Sequence, residues 1–121
     1  MISEEVRRAL ADVGLDTEEM TARFMDNEAM FVKYFLKFFP SSEHIVEELR
    51  IAVRSGDLEQ IERTAHALKG LAGNIGLTGV YLPAQKIVND LRAGKTDSYA
   101  LDFMQAYDAY AKAFSISKRI S

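Results

Sequence analysis

The stretch DLEQIERTAHALKGLAGNI, residues 57–75, has the spacing of a helix with one buried face. Asp57 is placed to cap this helix, with Gln60 three residues later as in a capping box, and Gly76 is placed to end it. The apolar residues recur at alternating intervals of three and four: they are Leu58, Ile61, Ala65, Leu68, Ala72 and Ile75. The stretch therefore predicts a helix that packs against other helices.

Apolar residues at helical spacing and helix-capping residues also occur on both sides of residues 57–75, and together they predict an all-α chain. Before residue 57, helices are predicted over residues 4–13, from Thr17 onward, over residues 28–39, and from Ser41 or Ser42 to residue 55. After residue 75, one helix is predicted from Thr78 or Gly79 to residue 93, and a last helix is capped by Asp97 or Ser98. Pro40 is expected to separate two of them, because proline cannot continue a helix smoothly. No segment alternates with period two, so no strand is predicted.

Very short loops between long helices require antiparallel neighbours. The predicted fold class is all-α: an antiparallel up-and-down four-helix bundle with additional short N-terminal helices. The length of 121 residues suits one such domain over residues 1–121.

Composition excludes several classes of function. The absence of cysteine removes disulfides, thiolate metal sites and cysteine nucleophiles. A net charge of −3 without a dense Lys/Arg run argues against a nucleic-acid partner. There is no apolar run long enough to span a membrane and no signal-type N-terminus, so a cytoplasmic protein without a membrane partner is expected. The sequence has no glycine-rich phosphate loop for ATP, so a kinase or other ATP-using enzyme is not expected.

His66 is the candidate nucleophile. At about 100° per residue it lies roughly 130° from the centre of the apolar stripe and is predicted to face solvent. Lys69 and Gly70 follow at i+3 and i+4, and Gly73 continues the same flank. Each glycine costs about 1 kcal/mol relative to alanine inside a helix. The pattern suits an open imidazole whose lone pair attacks phosphorus beside a stabilising cation.

Plainer explanations apply to the same residues. An isolated outward histidine is ordinarily a surface residue, and a tight helix–helix approach could explain one of the glycines. His44, the second histidine, is predicted to be solvated near a helix start, and no further ligands are placed to build a metal site with it.

The run AHALKGLAGNIGL, residues 65–77, resembles the signature of histidine-containing phosphotransfer (HPt) domains, a His-x-x-Lys-Gly run followed by small residues and Gly-Leu. The upstream runs RFMDNEAMFVKYFLKFF and RSGDLEQIERTAH resemble the family too, and the likeness covers roughly residues 24–91. It implies a bundle in which His66 is phosphorylated on Nε2. It also implies that Lys69 balances the phosphoryl charge and that Gly70 and Gly73 keep the approach clear.

The sequence departs from the family at one position. Some members have a glutamine on the following helix that hydrogen-bonds the active imidazole, and a gapless count places Val88 there. Gln85, one turn earlier, is the candidate for orienting His66.

The resemblance also implies partners. His66 would accept a phosphoryl group from the aspartate of one receiver domain and pass it to another receiver, which would supply Mg²⁺; no cofactor is expected in this chain. The run MFVKYFLKFF, residues 30–39, is too apolar all round to be fully buried in a small bundle. In the family an apolar patch on the N-terminal helices beside the histidine docks the receiver domain, so the resemblance implies such a patch here. Its predicted members are exposed residues of this run and of the N-terminus: Ile2, Val6, Phe31, Tyr34 and Phe35. A monomer is expected.

Three rival interpretations remain. The chain could be a phosphorylation-silent helical adaptor that binds receivers or other signalling proteins, but such a module has no need for an open nucleophile. It could be part of a larger histidine kinase or hybrid sensor, although its initial methionine and lack of a linker-like tail favour a free-standing protein. A bundle binding metal or a small molecule would require inward-facing polar ligands, which the pattern does not predict.

Overall fold

A computed structural model of the chain describes residues 2–120. The helices in that range are α1 (Glu4–Asp12), α2 (Thr17–Arg23), α3 (Glu28–Ser55), α4 (Leu58–Asn74), α5 (Thr78–Arg92) and α6 (Tyr99–Ser117). Residues 2–120 contain no strand, which confirms the all-α prediction. None of the helices in this range is long and apolar enough to cross a membrane.

Local capping determines where most of these helices begin and end. The side chains of Ser3, Asn27 and Asp57 each accept a hydrogen bond from a backbone N–H in the first turn of α1, α3 and α4. The cap of α2 is Asp16, one residue before the predicted start at Thr17. Gly56 ends α3 in the left-handed region with φ of 71°. The helix boundaries predicted from such residues are therefore correct to within a residue or two.

The four long helices form a closed ring. Helix α3 packs against α4, α4 against α5, α5 against α6, and α6 returns to α3, so α4 and α6 lie on the diagonal. The short helix α1 packs against α6 and α2, and α2 packs against α3. This arrangement is the predicted four-helix bundle with short N-terminal helices.

Pro40 does not separate two helices, so the prediction of a break there is wrong. Proline removes one backbone donor and crowds the preceding turn, but Pro40 is exposed and α3 continues through it. The hydroxyl of Ser42 donates to the Phe38 carbonyl across the same turn at 2.7 Å. One buried stripe runs along the whole helix: Phe31, Phe35, Phe38, Phe39, Ser42, Val46, Leu49 and Ala52. Burial of that stripe outweighs the loss of one hydrogen bond.

The predicted buried face of α4 is largely correct. Ile61, Ala65, Leu68, Ala72 and Ile75 are all at most 4% exposed. Leu58 is the exception at 41%, because it is the first residue of α4 and lies at the end of the bundle. The core therefore holds α4 with its opposite side towards solvent.

Candidate functional site

His66 is the central residue of the 17-residue helix α4 and is exposed, as predicted. Its neighbours Ala65 and Leu68 are buried, which fixes the rotation of the helix about its axis. Within residues 2–120 no other group forms a hydrogen bond to the imidazole. The side-chain hydrogen bonds made by residues of α4 all lie N-terminal to His66, at residues 59–64. The ring is therefore presented to solvent on a well-anchored helix.

Two contacts fix how α4 lies against α5. The ring of Tyr81 lies so close to Gly73 that a Cβ there would be 3.2 Å from it. Farther along, Arg92 Nε donates to Glu62 Oε2 at 3.0 Å. The contacts are eleven residues apart on both helices, from 62 to 73 on α4 and from 81 to 92 on α5. The helices are therefore antiparallel and keep the same register over this length.

This register places Val88 level with His66, and Gln85 level with Lys69. Val88 is fully buried, so the position where some family members have a glutamine contributes only an apolar contact. Gln85 is half-buried and forms no hydrogen bond to His66 in the described part of the chain. An orienting role for Gln85 stays a prediction, and the register brings it closer to Lys69.

The two glycines of the site differ in their surroundings. A Cβ added to Gly70 would meet nothing within 4 Å, whereas one added to Gly73 would press on the Tyr81 ring. Gly73 therefore has a packing reason within the bundle, namely the close approach of α5. Gly70 has none, and its backbone lies bare on the solvent side one turn from His66.

Charged side chains surround His66 on α4 and α5. Lys69, at i+3, is half-buried. Glu62, at i−4, is joined to Arg92, and Arg63 pairs with Glu59 at 3.0 Å. The acids on this part of α4 are thus each balanced by an arginine, and Lys69 leaves a positive charge beside the imidazole. The site favours an added anion.

The sequence model of the family described as Hpt domain matches residues 33–111. The chain belongs to the Hpt domain family. No curated protein and no solved structure matches it. Hpt domains act in histidine phosphotransfer within phosphorelays, and their partners are receiver domains. The match begins inside α3, ends inside α6 and includes all of α4 with His66.

Most of the predicted receiver-docking patch of this Hpt domain is wrong. Ile2 and Val6 are 8% and 6% exposed, and Phe31 and Phe35 are fully buried. The reason is non-local: α1 packs across the bundle and buries its own apolar residues, while the two phenylalanines belong to the inner stripe of α3. Tyr34 alone is exposed, at 45%, and its part in docking stays a prediction.

The second histidine lies outside the site. His44 is on α3 and exposed, as predicted for a solvated residue. Within residues 2–120 no three His, Asp or Glu side chains are grouped closely enough to hold a metal ion.

Sequence reasoning missed the ion pair between Glu62 and Arg92. Glu62 is one turn before His66, but its partner is on another helix. A signal was available in the expected position of Val88 opposite His66. In an antiparallel helix pair, the residue four positions before His66 faces the residue four positions after Val88, which places Arg92 opposite Glu62.

Proposed function

We propose that this Hpt domain accepts a phosphoryl group on His66 from an aspartyl phosphate of one receiver domain and passes it to an aspartate of another. The observation that supports this most strongly is the combination at the centre of α4: an exposed imidazole without a hydrogen bond from residues 2–120, beside the bare backbone of Gly70.

The step is an in-line displacement on phosphorus. The lone pair on Nε2 of neutral His66 forms an N–P bond while the P–O bond to the receiver aspartate breaks, and the electron pair of that bond leaves on the carboxylate oxygen. The proton on Nδ1 stays on the ring. In the second transfer a carboxylate oxygen of another receiver attacks phosphorus, and the N–P electron pair returns to Nε2.

The residues around His66 have separate roles in this proposal. Lys69 reduces the free energy of the phosphorylated state by balancing part of its negative charge. Gly70 leaves room for the receiver, whose Mg²⁺ and active-site groups supply most of the transition-state stabilisation. The Hpt domain contributes a positioned nucleophile and acts as a carrier without kinase activity of its own.

The test uses receiver domains from the same organism, loaded with a radiolabelled phosphoryl group from acetyl phosphate. Wild-type chain and the variant His44→Gln should take up acid-labile label at similar rates, because both retain His66. The variant His66→Gln should take up none, and since the side chain is exposed its thermal unfolding should match that of the wild type.

Two results would contradict the proposal. Label on His66→Gln at the wild-type rate would show that another residue is phosphorylated. Wild-type chain that binds the receivers but takes up no label would instead support a phosphorylation-silent adaptor.

A further inference from the structure

The outer side of α6 is apolar although it faces solvent. Four large apolar side chains on it are between 42% and 65% exposed: Leu101, Met104, Tyr107 and Phe114. Together with the exposed Ala111 they recur at intervals of three and four, so they lie along one side of the helix. This set of five residues, the α6 stripe, is about 20 Å long at 1.5 Å per residue.

Very little charge interrupts this side of the helix. The 19 residues of α6 include three charged ones, and Asp102 is buried on the opposite side. The other two, Asp108 and Lys112, pair with each other at 3.0 Å beside the stripe. A helix that is apolar on both sides is normally covered on both sides. Because the two exposed charges cancel, two such surfaces can meet without repelling each other.

The α6 stripe faces away from the candidate site. Helices α4 and α6 lie on the diagonal of the ring, so their outer sides point in opposite directions. A groove of about 530 Å³ between α3 and α6 runs along one edge of the stripe and is lined by its Tyr107, Ala111 and Phe114. A protein that covers the stripe therefore has room for its side chains and leaves His66 open.

The stripe is complementary to itself when two copies of α6 run antiparallel. With a two-fold axis between residues 107 and 108, Leu101 is level with Phe114 of the second copy. Met104 is then level with Ala111 of the second copy, so a long side chain meets a short one. The symmetry repeats both contacts, and every member of the stripe faces an apolar surface.

The same register brings opposite charges together at both ends of the stripe. Lys118 is about level with Asp97 of the second copy, and both residues are exposed. Lys118 Nζ lies 4.6 Å from the centre of the Phe114 ring, which places it at the end of the stripe. Asp97 forms no ion pair within residues 2–120, so its carboxylate is available to a lysine of another copy.

We propose that the α6 stripe is a homodimer interface, in which two copies of the chain pack α6 against α6, antiparallel, about a two-fold axis. The proposal does not depend on phosphotransfer by His66. It replaces the monomer expected from the sequence, because helical spacing alone did not show that the apolar residues of α6 lie on its outer side. The dimer has one His66 on each of its two far sides, so each imidazole can meet a receiver independently.

The first test is sedimentation equilibrium of the full chain from about 1 to about 500 µM. Wild-type chain should reach twice its mass of 13.6 kDa, with a dissociation constant of roughly 1–100 µM, as for a small interface. Met104→Glu should weaken association by about 100-fold or more, because it buries a carboxylate without a partner. Met30→Glu is the matched control: Met30 is an exposed methionine on α3, outside the stripe, and this variant should associate like the wild type.

A charge-reversal cycle tests the antiparallel register. Lys118→Glu places two acids together at each end of the stripe, and Asp97→Lys places two lysines there. Each variant should weaken association about tenfold, since each dimer contains two such pairs. The double variant restores opposite charges and should return to within about threefold of the wild-type dissociation constant.

Three results would overturn the inference. One is wild-type chain that stays monomeric up to about 500 µM, and another is a double charge variant that associates no better than either single one. The third is slower uptake of label from a phosphorylated receiver by Met104→Glu with association unchanged, which would show that the stripe docks the receiver instead. Circular dichroism spectra of all variants should match the wild type, because the replaced side chains are exposed.

Discussion

Gly70 and Gly73 are less than one turn apart on α4, yet the bundle requires only one of them. Gly73 lets the Tyr81 ring approach, whereas the space beside Gly70 is empty. A glycine inside a helix costs about 1 kcal/mol relative to alanine, so Gly70 is a disadvantage for folding alone. Its position one turn from His66 is consistent with a requirement for access.

Replacing Gly70 with glutamine should separate folding from access. Glutamine is a better helix former, so the free energy of unfolding should rise by roughly 0.5–1 kcal/mol. The longer side chain should cover the approach to His66 and slow transfer from a phosphorylated receiver by about tenfold or more. Urea unfolding and the initial rate of label uptake measure the two effects.

The control for this variant is loading by phosphoramidate, which is small enough to reach the imidazole past the new side chain. That rate should change little. If the receiver transfers label to Gly70→Gln as fast as to the wild type, Gly70 does not keep the approach clear.

At the scale of elements, α1 and α2 lie outside the segment that matches the Hpt family. Helix α1 is nevertheless tightly joined to the bundle. Gly79 N donates to the Val13 carbonyl at 2.9 Å, and the Thr78 hydroxyl donates to the Gly14 carbonyl. The end of α1 therefore contacts the first turn of α5 backbone to backbone.

This close approach is possible because Gly79 has no Cβ. A Cβ there would fall deep inside van der Waals contact with the Val13 carbonyl, so Gly79→Ala should destabilise the fold by about 1–3 kcal/mol. Urea unfolding followed by circular dichroism measures the change. Gly70→Ala is the matched control and should be neutral or stabilising; equal stability of the two variants would contradict the account.

Local signals predicted the element boundaries well, and non-local packing explains the failures. Ser3, Asn27 and Asp57 act within their own first turns, so sequence alone revealed them. The continuity of α3 through Pro40 depends on a core formed by other helices. The burial of Ile2 likewise depends on where α1 packs, which periodicity does not determine.

In the candidate site, too, sequence predicted the residues that share one helix and did not predict the residue that another helix contributes. His66, Lys69 and Gly70 are on one helix, so their spacing was enough to group them and to predict that His66 is exposed. Arg92 comes from α5 and joins the site only through the register of the two helices, which the contacts of Gly73 and Glu62 establish.

For the whole molecule, one buried carboxylate links α5 to α6. Asp102 is 4% exposed, and Lys86 Nζ donates to it at 2.9 Å and to Asp90 at 2.8 Å. The hydrogen bonds to Asp90 and Asp102 raise the pKa of Lys86 above its ordinary value of 10.5. On the side of α6 that contacts Ser42 of α3, burial raises the pKa of Tyr110 above its ordinary value of 10.0.

Both shifts mean that the folded chain binds the proton more tightly than the unfolded chain does. Their contribution to stability is therefore complete below about pH 10 and is lost as pH rises through the folded pKa values. We expect the free energy of unfolding to fall steadily above about pH 10, measured by urea titrations from about pH 8 to about pH 11.5.

Lys86→Met tests the assignment of this effect. The variant should be less stable than the wild type at about pH 8, because Asp102 stays buried without its cation, and the difference between the two curves should narrow as pH rises above about 10. Lys33→Met, on the exposed side of α3, is the control and should follow the wild-type curve. A constant difference between Lys86→Met and the wild type at every pH would contradict the account.

The bundle as a whole holds His66 at the middle of one helix, on the diagonal from α6, with its solvent side open. The most direct measurement of the central claim is the location of the phosphoryl group in wild-type chain loaded by a phosphorylated receiver and kept near neutral pH. Fragmentation mass spectrometry should place an acid-labile phosphoryl group on His66, and the group should disappear when an unphosphorylated second receiver is added. A phosphoryl group on His44 or on a hydroxyl or carboxyl side chain, or one that the second receiver cannot remove, would contradict the account.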